Sequence, residues 1–352
     1  MTRDQSSQGP KAGTDPAARS VLSGIVDDLL DADMVRFREA LHEALRPQDP
    51  YLSDVERRMF KGGKKIRPVM MLLAARMMAG DGPLSEKIYK GAASLEMLHV
   101  ATLIHDDIID EAQMRRGLPS VSAHRGPKVA LLVGDLQFVQ AIRGFAQAVD
   151  TERDMDLVRM VLDTAFDICR GELDELERAL PADRDDRLDR YYETIDRKTA
   201  VLFRLACQAG IELAGGRTRD SRRGGFFGKS FGRAFQIMDD ILDVVQPAAQ
   251  SGKAPGIDLS LGRLSLPIIH ALDRLDTPNA IEAAVRGEAP LSGAELDAAL
   301  SELRLCGAVE EAYEQARAAA FEAHFYLKPF PRNAYAAALG TLTDYVVNRP
   351  LC

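Results

Sequence analysis

Apolar residues recur at helical spacing along almost the whole chain. From about Ser20 to Leu45 they return every three or four positions, and Pro47 and Pro50 end the segment. Similar segments follow, separated by Gly and Pro, as far as AYAAALGTLTDYVVNR near the end. Strand-like alternation is nearly absent. The pattern predicts an all-α bundle of ten or more helices, forming one domain over residues 20–352.

Composition restricts the kind of protein and the compartment in which it works. Residues 1–19 are polar and rich in Gly, Pro and Ser, so we expect a disordered tail without a signal peptide. The richest apolar runs are interrupted within a few turns, so we expect no membrane span. The net charge of −8 argues against nucleic-acid binding. Four scattered cysteines, Cys169, Cys207, Cys306 and Cys352, indicate neither a metal site nor a disulfide scaffold, which favours a reducing cytoplasm.

Two apolar helical segments each carry three aspartates in the pattern DDxxD. In a helix, the first and last acids of each set lie on one face about 6 Å apart. Buried carboxylates need partners, and hard cations such as Mg²⁺ bind a few carboxylates together with water and phosphate oxygens. One such motif is usually a solvated helix face, but two favour a metal–phosphate site. The acids are Asp106, Asp107 and Asp110, and Asp239, Asp240 and Asp243.

Two groups of cations could receive the phosphate. A loop with Gly62-Gly63 enters a helix whose first turn accommodates Pro68, and this geometry suits an anion, although such loops are more often solvated turns. Lys198 lies within a long helix, where it either extends to water or points into a polar cavity. The loop cations are Lys61, Lys64, Lys65 and Arg67.

Five segments together resemble the all-trans polyprenyl diphosphate synthases, which are trans-prenyltransferases of the isoprenoid synthase fold. They are GGKKIRP, HVATLIHDDIIDEAQMRRG, RKTA, FQIMDDILD and GKAPGIDLSLGRLSLP, in the order and spacing of that family. The first aspartate segment is most similar to those of medium- and long-chain members. The resemblance implies a single large helical bundle around a central cavity, a homodimer, and condensation of isopentenyl diphosphate with an allylic diphosphate.

The resemblance also implies a role for each matching residue. Metal ligands for Mg²⁺, three ions when the allylic diphosphate is bound, would be Asp106, Asp107, Asp110, Asp239 and Asp243. The catalytic set would be four of these, Asp106, Asp107, Asp110 and Asp239, together with Lys198 and Asp240. The allylic diphosphate would be held by Arg115, Lys198, Thr199, Gln236, Lys253 and Arg263, and isopentenyl diphosphate by Lys64, Arg67, His99 and Arg116.

Product length is expected to depend on the helix before the first aspartates. The fifth residue before Asp106 is Ala101, whose methyl group would leave a tunnel open, with Thr102 beside it. Leu98 and Met97 could line or plug a deeper cavity. These residues predict a medium- or long-chain product, with geranylgeranyl diphosphate as the alternative.

Departures from the family pattern and competing functions complete the prediction. GELDELE places Asp174 and Glu175 near the site, and GRLSLP has Arg263 and Ser265 in place of a lysine–threonine pair. His105 is expected to hold a structural hydrogen bond.

A class I terpene cyclase or a non-catalytic regulatory subunit would be the alternative functions. Because the product is insoluble in water, we expect at most peripheral contact between the protein and a membrane.

Overall fold

Helices dominate the residues that the computed structural model describes, which are 20–115, 117–149, 155–176, 180–246, 255–276 and 278–348. The predicted tail, 1–19, lies outside them. Within the described ranges, the strands are β1 (Met114–Arg115) and β2 (Leu118–Pro119), which pair antiparallel. The all-α prediction is confirmed.

The N-terminal half follows the predicted segments closely. The first predicted helix is nearly continuous and ends in a 3-10 turn at the two prolines. The elements are α1 (Val21–Ile25), a π-helical turn (Val26–Leu30), α2 (Asp31–Leu45), a 3-10 turn (Arg46–Tyr51), α3 (Asp54–Lys61), α4 (Ile66–Ala79), α5 (Glu86–Ile109), α6 (Val121–Arg125) and α7 (Pro127–Gln147).

The C-terminal half contains the second aspartate helix. Its elements are α8 (Met155–Leu176), α9 (Arg184–Ile195), a π-helical turn (Asp196–Ala200), α10 (Val201–Leu213), α11 (Thr218–Val245), α12 (Ile257–Ser260), α13 (Leu266–Arg274), α14 (Ala280–Val285), α15 (Gly293–Leu305), α16 (Ala308–Leu327) and α17 (Ala334–Val347). The helix α9, the π turn and α10 form the long helix that the sequence predicted.

The core is built on α5 and α10, which pack on each other. The helix α5 also packs on α7, α2 and α4, and α10 packs on α4 and α11. Glycine allows two of these contacts. A Cβ atom at Gly210 would lie 2.3 Å from the carbonyl oxygen of Met71, and one at Gly228 would lie 2.2 Å from that of Phe203. The second aspartate helix, α11, thereby packs closely on α10, which also packs on α5.

Helix α7 has one exposed and one buried face. It is the one helix among the described residues that is long and apolar enough to cross a membrane, although it packs along α5 as a bundle helix. On its exposed face, Leu132 is 68% exposed and Val139 is 56% exposed. The opposite face is buried, where the Gln137 amide donates to Gln48 Oε1 at 2.6 Å. One face of α7 is therefore free in the single chain.

Candidate active site

The first aspartate set lies at the C-terminal end of α5. Asp106 and Asp107 belong to its last turn, and Asp110 caps it. The helix ends at Ile109, directly before Asp110. Glu111 has a φ of 50°, and the β1–β2 hairpin follows, with Gly117 at a φ of 75°. The hairpin folds Arg115 back toward the aspartates.

Two arginines pair with this set. The Nε atom of Arg115 donates to both carboxylate oxygens of Asp107 at 2.7 Å, and Asp107 is almost completely buried. Arg263 donates to Asp110. Both arginines were predicted to bind the allylic diphosphate, and in the free protein they neutralise carboxylates that were predicted to bind metal.

Asp106 lacks a comparable partner. Its Oδ1 atom is buried without a hydrogen bond within the described structure. Burial, followed by the nearby charge of Glu172, raises the pKa of Asp106 to about 8. The ammonium of Lys198 acts in the opposite direction but does not prevent the rise. A carboxylate of this kind gains much from a cation that approaches its free oxygen.

Lys198 pairs with carboxylates of α8 and does not extend to water. Its ammonium group contacts Glu172 at 2.8 Å and also pairs with Glu175. Burial lowers its pKa, but these carboxylates outweigh burial and raise it above the ordinary value. The π-helical turn that carries Lys198 lies close to α8 because residue 171 is glycine: a Cβ atom there would be 2.8 Å from Lys198 Cγ. π-Helical turns are frequent at functional sites.

The acids of the GELDELE segment do not all lie where the sequence predicted. Glu175 lies at the site, as predicted, and is 4.0 Å from Arg263 Nε. Asp174 instead pairs with Arg197. Glu172, which sequence reasoning missed, lies beside both Asp106 and Lys198. The helical spacing from Glu172 to Glu175 was the available signal, since residues three apart share a face.

The second aspartate set belongs to a hydrogen-bond network near the C-terminal end of α11. Asp240 is buried and accepts from the Tyr191 hydroxyl at 2.6 Å and from Gln236 Nε2 at 2.8 Å. Gln236 in turn accepts from Thr199 at 2.7 Å, so two predicted diphosphate ligands are in contact. Burial raises the pKa of Asp240 to about 7, although both hydrogen bonds oppose the rise.

The other two acids of this set have different surroundings. Asp239 lines the main cavity. Asp243 accepts from the backbone nitrogens of Ile257 and Asp258 at 3.1 and 3.0 Å, and so fixes the start of α12. Burial and the charge of Asp243 raise the pKa of Asp258 well above its usual range. Tyr191 lies outside the family-like segments, whereas Asp258 lies within GKAPGIDLSLGRLSLP but was assigned no role.

The predicted isopentenyl diphosphate residues surround a cavity of about 750 Å³. Lys64, Arg67 and His99 line it together with Asp107, Arg115 and Asp239. Arg67 Nη1 lies 3.1 Å from His99 Nε2, and its guanidinium lies 4.6 Å from the centre of the Phe203 ring. The basic loop turns into α4 at Lys65, which has a φ of 50° and pairs with Glu96 at 2.8 Å. One cavity therefore joins the basic loop to both aspartate sets.

Four residues of the predicted product tunnel lie on α5. Ala101, Leu98 and Met97 are fully buried, and the Thr102 hydroxyl donates to the carbonyl of His99 at 2.8 Å. Their role in setting product length stays a prediction. Two further predicted ligands, Arg116 and Lys253, lie outside the described residues.

His105 is directed away from the aspartates toward α7. Its Nε2 atom is 3.4 Å from the carbonyl oxygen of Leu131 and 3.3 Å from Asp135. Gly134 makes room for the ring, since a Cβ atom there would be 2.3 Å from Nε2. The geometry agrees with the structural role predicted for this histidine.

The donor set fits Mg²⁺ that arrives with a diphosphate. Among the described residues, no three acids or histidines converge closely enough to hold a metal ion by themselves. Mg²⁺ retains water and takes substrate phosphates, so it does not require a complete protein cage. Hard ligands are supplied by the free oxygen of Asp106, by Asp107 and Asp239, which line the large cavity, and by Asp110, which lines a second pocket.

Comparison with known proteins identifies the family. Residues 49–303 match the description "Polyprenyl synthetase". This chain belongs to that family. It is 32% identical to "Heptaprenyl diphosphate synthase component 2" of Geobacillus stearothermophilus, over 91% of this chain and 97% of the relative. It is also 32% identical to the "Nonaprenyl diphosphate synthase" of Mycobacterium tuberculosis, over 90% and 92%.

A solved structure supports the same assignment. The polyprenyl synthase of Caulobacter crescentus, complexed with calcium and isoprenyl diphosphate, matches with a TM-score of 0.82 and 29% identity. The match covers 94% of this chain and 99% of that one. The isoprenoid synthase fold predicted from the sequence is therefore confirmed.

Proposed function

We propose that this chain is a Mg²⁺-dependent trans-prenyltransferase that condenses isopentenyl diphosphate with an allylic diphosphate to make a medium- or long-chain polyprenyl diphosphate. The observation that carries the proposal is the cavity that joins the basic loop of Lys64 and Arg67 to two aspartate sets. The relatives named as heptaprenyl and nonaprenyl synthases support the chain length. Geranylgeranyl diphosphate is the less supported product.

The chain's own residues bind and orient both substrates. Lys64, Arg67 and His99 would hold isopentenyl diphosphate in the large cavity. Arg115, Lys198 and Arg263 would neutralise the allylic diphosphate as its C–O bond breaks and the electron pair leaves with it. The isopentenyl double bond then attacks the allylic cation, a C–C bond forms, and a proton passes to the released diphosphate. Three Mg²⁺ ions, held by Asp106, Asp107, Asp110, Asp239 and Asp243, would supply Lewis-acid stabilisation of that leaving group.

A cyclase or a regulatory subunit fits the site less well. A terpene cyclase does not require a pocket for isopentenyl diphosphate, and the cavity lined by Lys64, Arg67 and His99 is suited to that role. A non-catalytic subunit does not require both aspartate sets. One relative is named "component 2", so activity of the purified chain alone is the observation that separates these functions.

We also propose a homodimer formed through the free face of α7 and the adjacent face of α8. Leu132 is 68% exposed, and Phe166 and Leu173 on α8 are 65% and 63% exposed. Contiguous exposed apolar residues of this kind are typical of an interface. The mass in solution, measured by light scattering, tests this proposal, and a monomer that is active alone would contradict it.

The experiment that tests the proposed function is condensation by the pure protein. The protein is incubated with isopentenyl diphosphate, Mg²⁺ and dimethylallyl, geranyl or farnesyl diphosphate in turn. Products are dephosphorylated and measured by mass spectrometry. We expect chains longer than geranylgeranyl. Consumption of the allylic substrate without condensation would support a cyclase, and no turnover at all would support a regulatory subunit.

A further inference from the structure

An aromatic patch lies on the surface of α11 and α16. It consists of Phe226, Phe321, Phe325 and Tyr326. The three phenylalanines are 50%, 71% and 59% exposed. The Phe226 and Tyr326 rings stack with their centres 5.3 Å apart, and those of Tyr326 and Phe325 are 5.6 Å apart. Phe321 precedes Phe325 by one helical turn, so the four rings form one continuous surface.

Cations border the aromatic patch. Arg222 lies one turn before Phe226 on α11, and Lys328 follows Phe325 by three residues at the end of α16. Both side chains are exposed and, within the described structure, neither forms an ion pair. Glu322 on α16 accepts from the Ser230 hydroxyl at 3.0 Å and from the Tyr326 hydroxyl at 3.5 Å. Two exposed cations therefore border the rings in a protein whose net charge is −8.

The free face of α7 and α8 carries both signs of charge. Asp135 on α7 and Asp163 on α8 accompany its exposed apolar residues, and the Arg170 guanidinium lies 5.8 Å from the centre of the Phe166 ring. Acids would repel an anionic lipid surface, whereas arginine and lysine beside exposed aromatic rings suit one. The two apolar surfaces thus fit different partners, and the one on α7 and α8 suits a second copy of the chain.

The aromatic patch is also distant from the reacting groups. Phe226 comes 13 residues before Asp239 on the same helix, roughly 20 Å along the axis. An object docked on the patch would not cover the entrance of the substrate cavity, which lies at the basic loop and the aspartates.

We propose that the aromatic patch docks the enzyme on an anionic phospholipid membrane, with the phenylalanines inserted among the headgroups and Arg222 and Lys328 against the lipid phosphates. This inference rests on the proposed function, because a long polyprenyl chain is insoluble in water and its acceptor phase is a bilayer. The surface keeps the enzyme where its product accumulates. The contact is peripheral and reversible, since a few aromatic and basic residues bind weakly compared with a spanning helix.

Vesicle binding tests the proposal directly. The chain contains no tryptophan, so Phe321→Trp provides a single fluorescent reporter within the patch. We expect its emission to shift to the blue with vesicles of phosphatidylcholine containing one part in three of phosphatidylglycerol. A smaller response is expected with phosphatidylcholine alone or in 0.5 M salt, because salt screens the charges. An unchanged spectrum with anionic vesicles would overturn the proposal.

Variants identify the residues responsible. The double variants Phe321→Ser with Phe325→Ser, and Arg222→Glu with Lys328→Glu, should each lower the vesicle partition coefficient in sedimentation by about tenfold or more. Lys128→Glu reverses an exposed cation at the start of α7, and Leu305→Ser removes an apolar side chain that is 85% exposed. Both controls should bind vesicles as the wild type does. Equal binding by wild type and patch variants would assign attachment to another surface.

Two further measurements separate this proposal from the proposed function. Condensation in detergent should be unchanged in the patch variants, which also shows that they fold. If the wild type binds anionic vesicles but makes no polyprenyl chain, the proposed function fails while the docking surface stands. If the patch variants lose a subunit in light scattering, the patch is a contact between copies and the membrane assignment is wrong.

Discussion

Replacing Asp106 with asparagine should make the metal-free protein more stable while removing its activity. The carboxylate has a buried oxygen without a hydrogen bond, and its pKa is raised to about 8, first by burial and then by Glu172. The folded protein therefore keeps a proton that the unfolded chain has released. The contribution of Asp106 to the free energy of unfolding therefore falls as the pH rises from about 4 toward 8. Asparagine avoids this loss because its side chain does not ionise.

The size of the effect follows from the same pKa. A rise from 3.8 to about 8 corresponds to at most about 6 kcal/mol at high pH. The ammonium of Lys198 and partial contact with solvent reduce this, so we expect a gain of about 1–3 kcal/mol at pH 8.5. For a chain of 352 residues, that is an increase of about 1–4 °C in Tm.

The assay is thermal unfolding in EDTA at pH 5.5, 7.0 and 8.5, together with condensation activity in Mg²⁺. The stability difference between Asp106→Asn and wild type should grow with pH, and activity should fall at least about a hundredfold. Asp189→Asn, which changes an exposed carboxylate on α9, should alter neither quantity. A variant that is less stable than wild type at pH 8.5 would refute the argument that the ionised Asp106 carboxylate destabilises the metal-free fold.

Three other substitutions test other parts of the site. Gly171→Ala should lower kcat, measured by steady-state kinetics, by about tenfold or more, because the added methyl group would displace the turn that carries Lys198. Gly24→Ala is the control, since an added methyl group there would meet no other atom. Lys64→Ala should raise KM for isopentenyl diphosphate about tenfold and leave that of the allylic substrate nearly unchanged; equal effects on both would contradict separate pockets. Ala101→Tyr should shorten the products seen by mass spectrometry, and unchanged lengths would place the tunnel elsewhere.

Much of the fold could be predicted because helix periodicity and its interruptions are local. Pro47 and Pro50, the Gly62-Gly63 break and Pro68 all lie where a helix ends or begins. The hairpin after Asp110 could not be predicted in this way. It depends on a left-handed backbone at Glu111, which no local signal indicated.

Only those site residues that belong to sequence motifs could be predicted. Motifs identified both aspartate sets and assigned Thr199 and Gln236 to one diphosphate, and the structure places these two in contact. They could not show that Tyr191 donates to Asp240, because that pair joins helices 49 residues apart in sequence. Nor could they separate Glu172, at the site, from Asp174, which faces Arg197, since that choice depends on where α8 meets the π turn.

The ion pairs of the free site explain why metal and diphosphate should bind together. Arg115 holds Asp107, and Arg263 holds Asp110. An arriving diphosphate can attract these arginines only if the released aspartates acquire another partner, because a buried carboxylate without one is costly. A metal ion alone would have to displace arginine, and a diphosphate alone would leave aspartate unpaired. When both arrive, each arginine exchanges carboxylate for phosphate, each aspartate exchanges arginine for metal, and no charge is left without a partner.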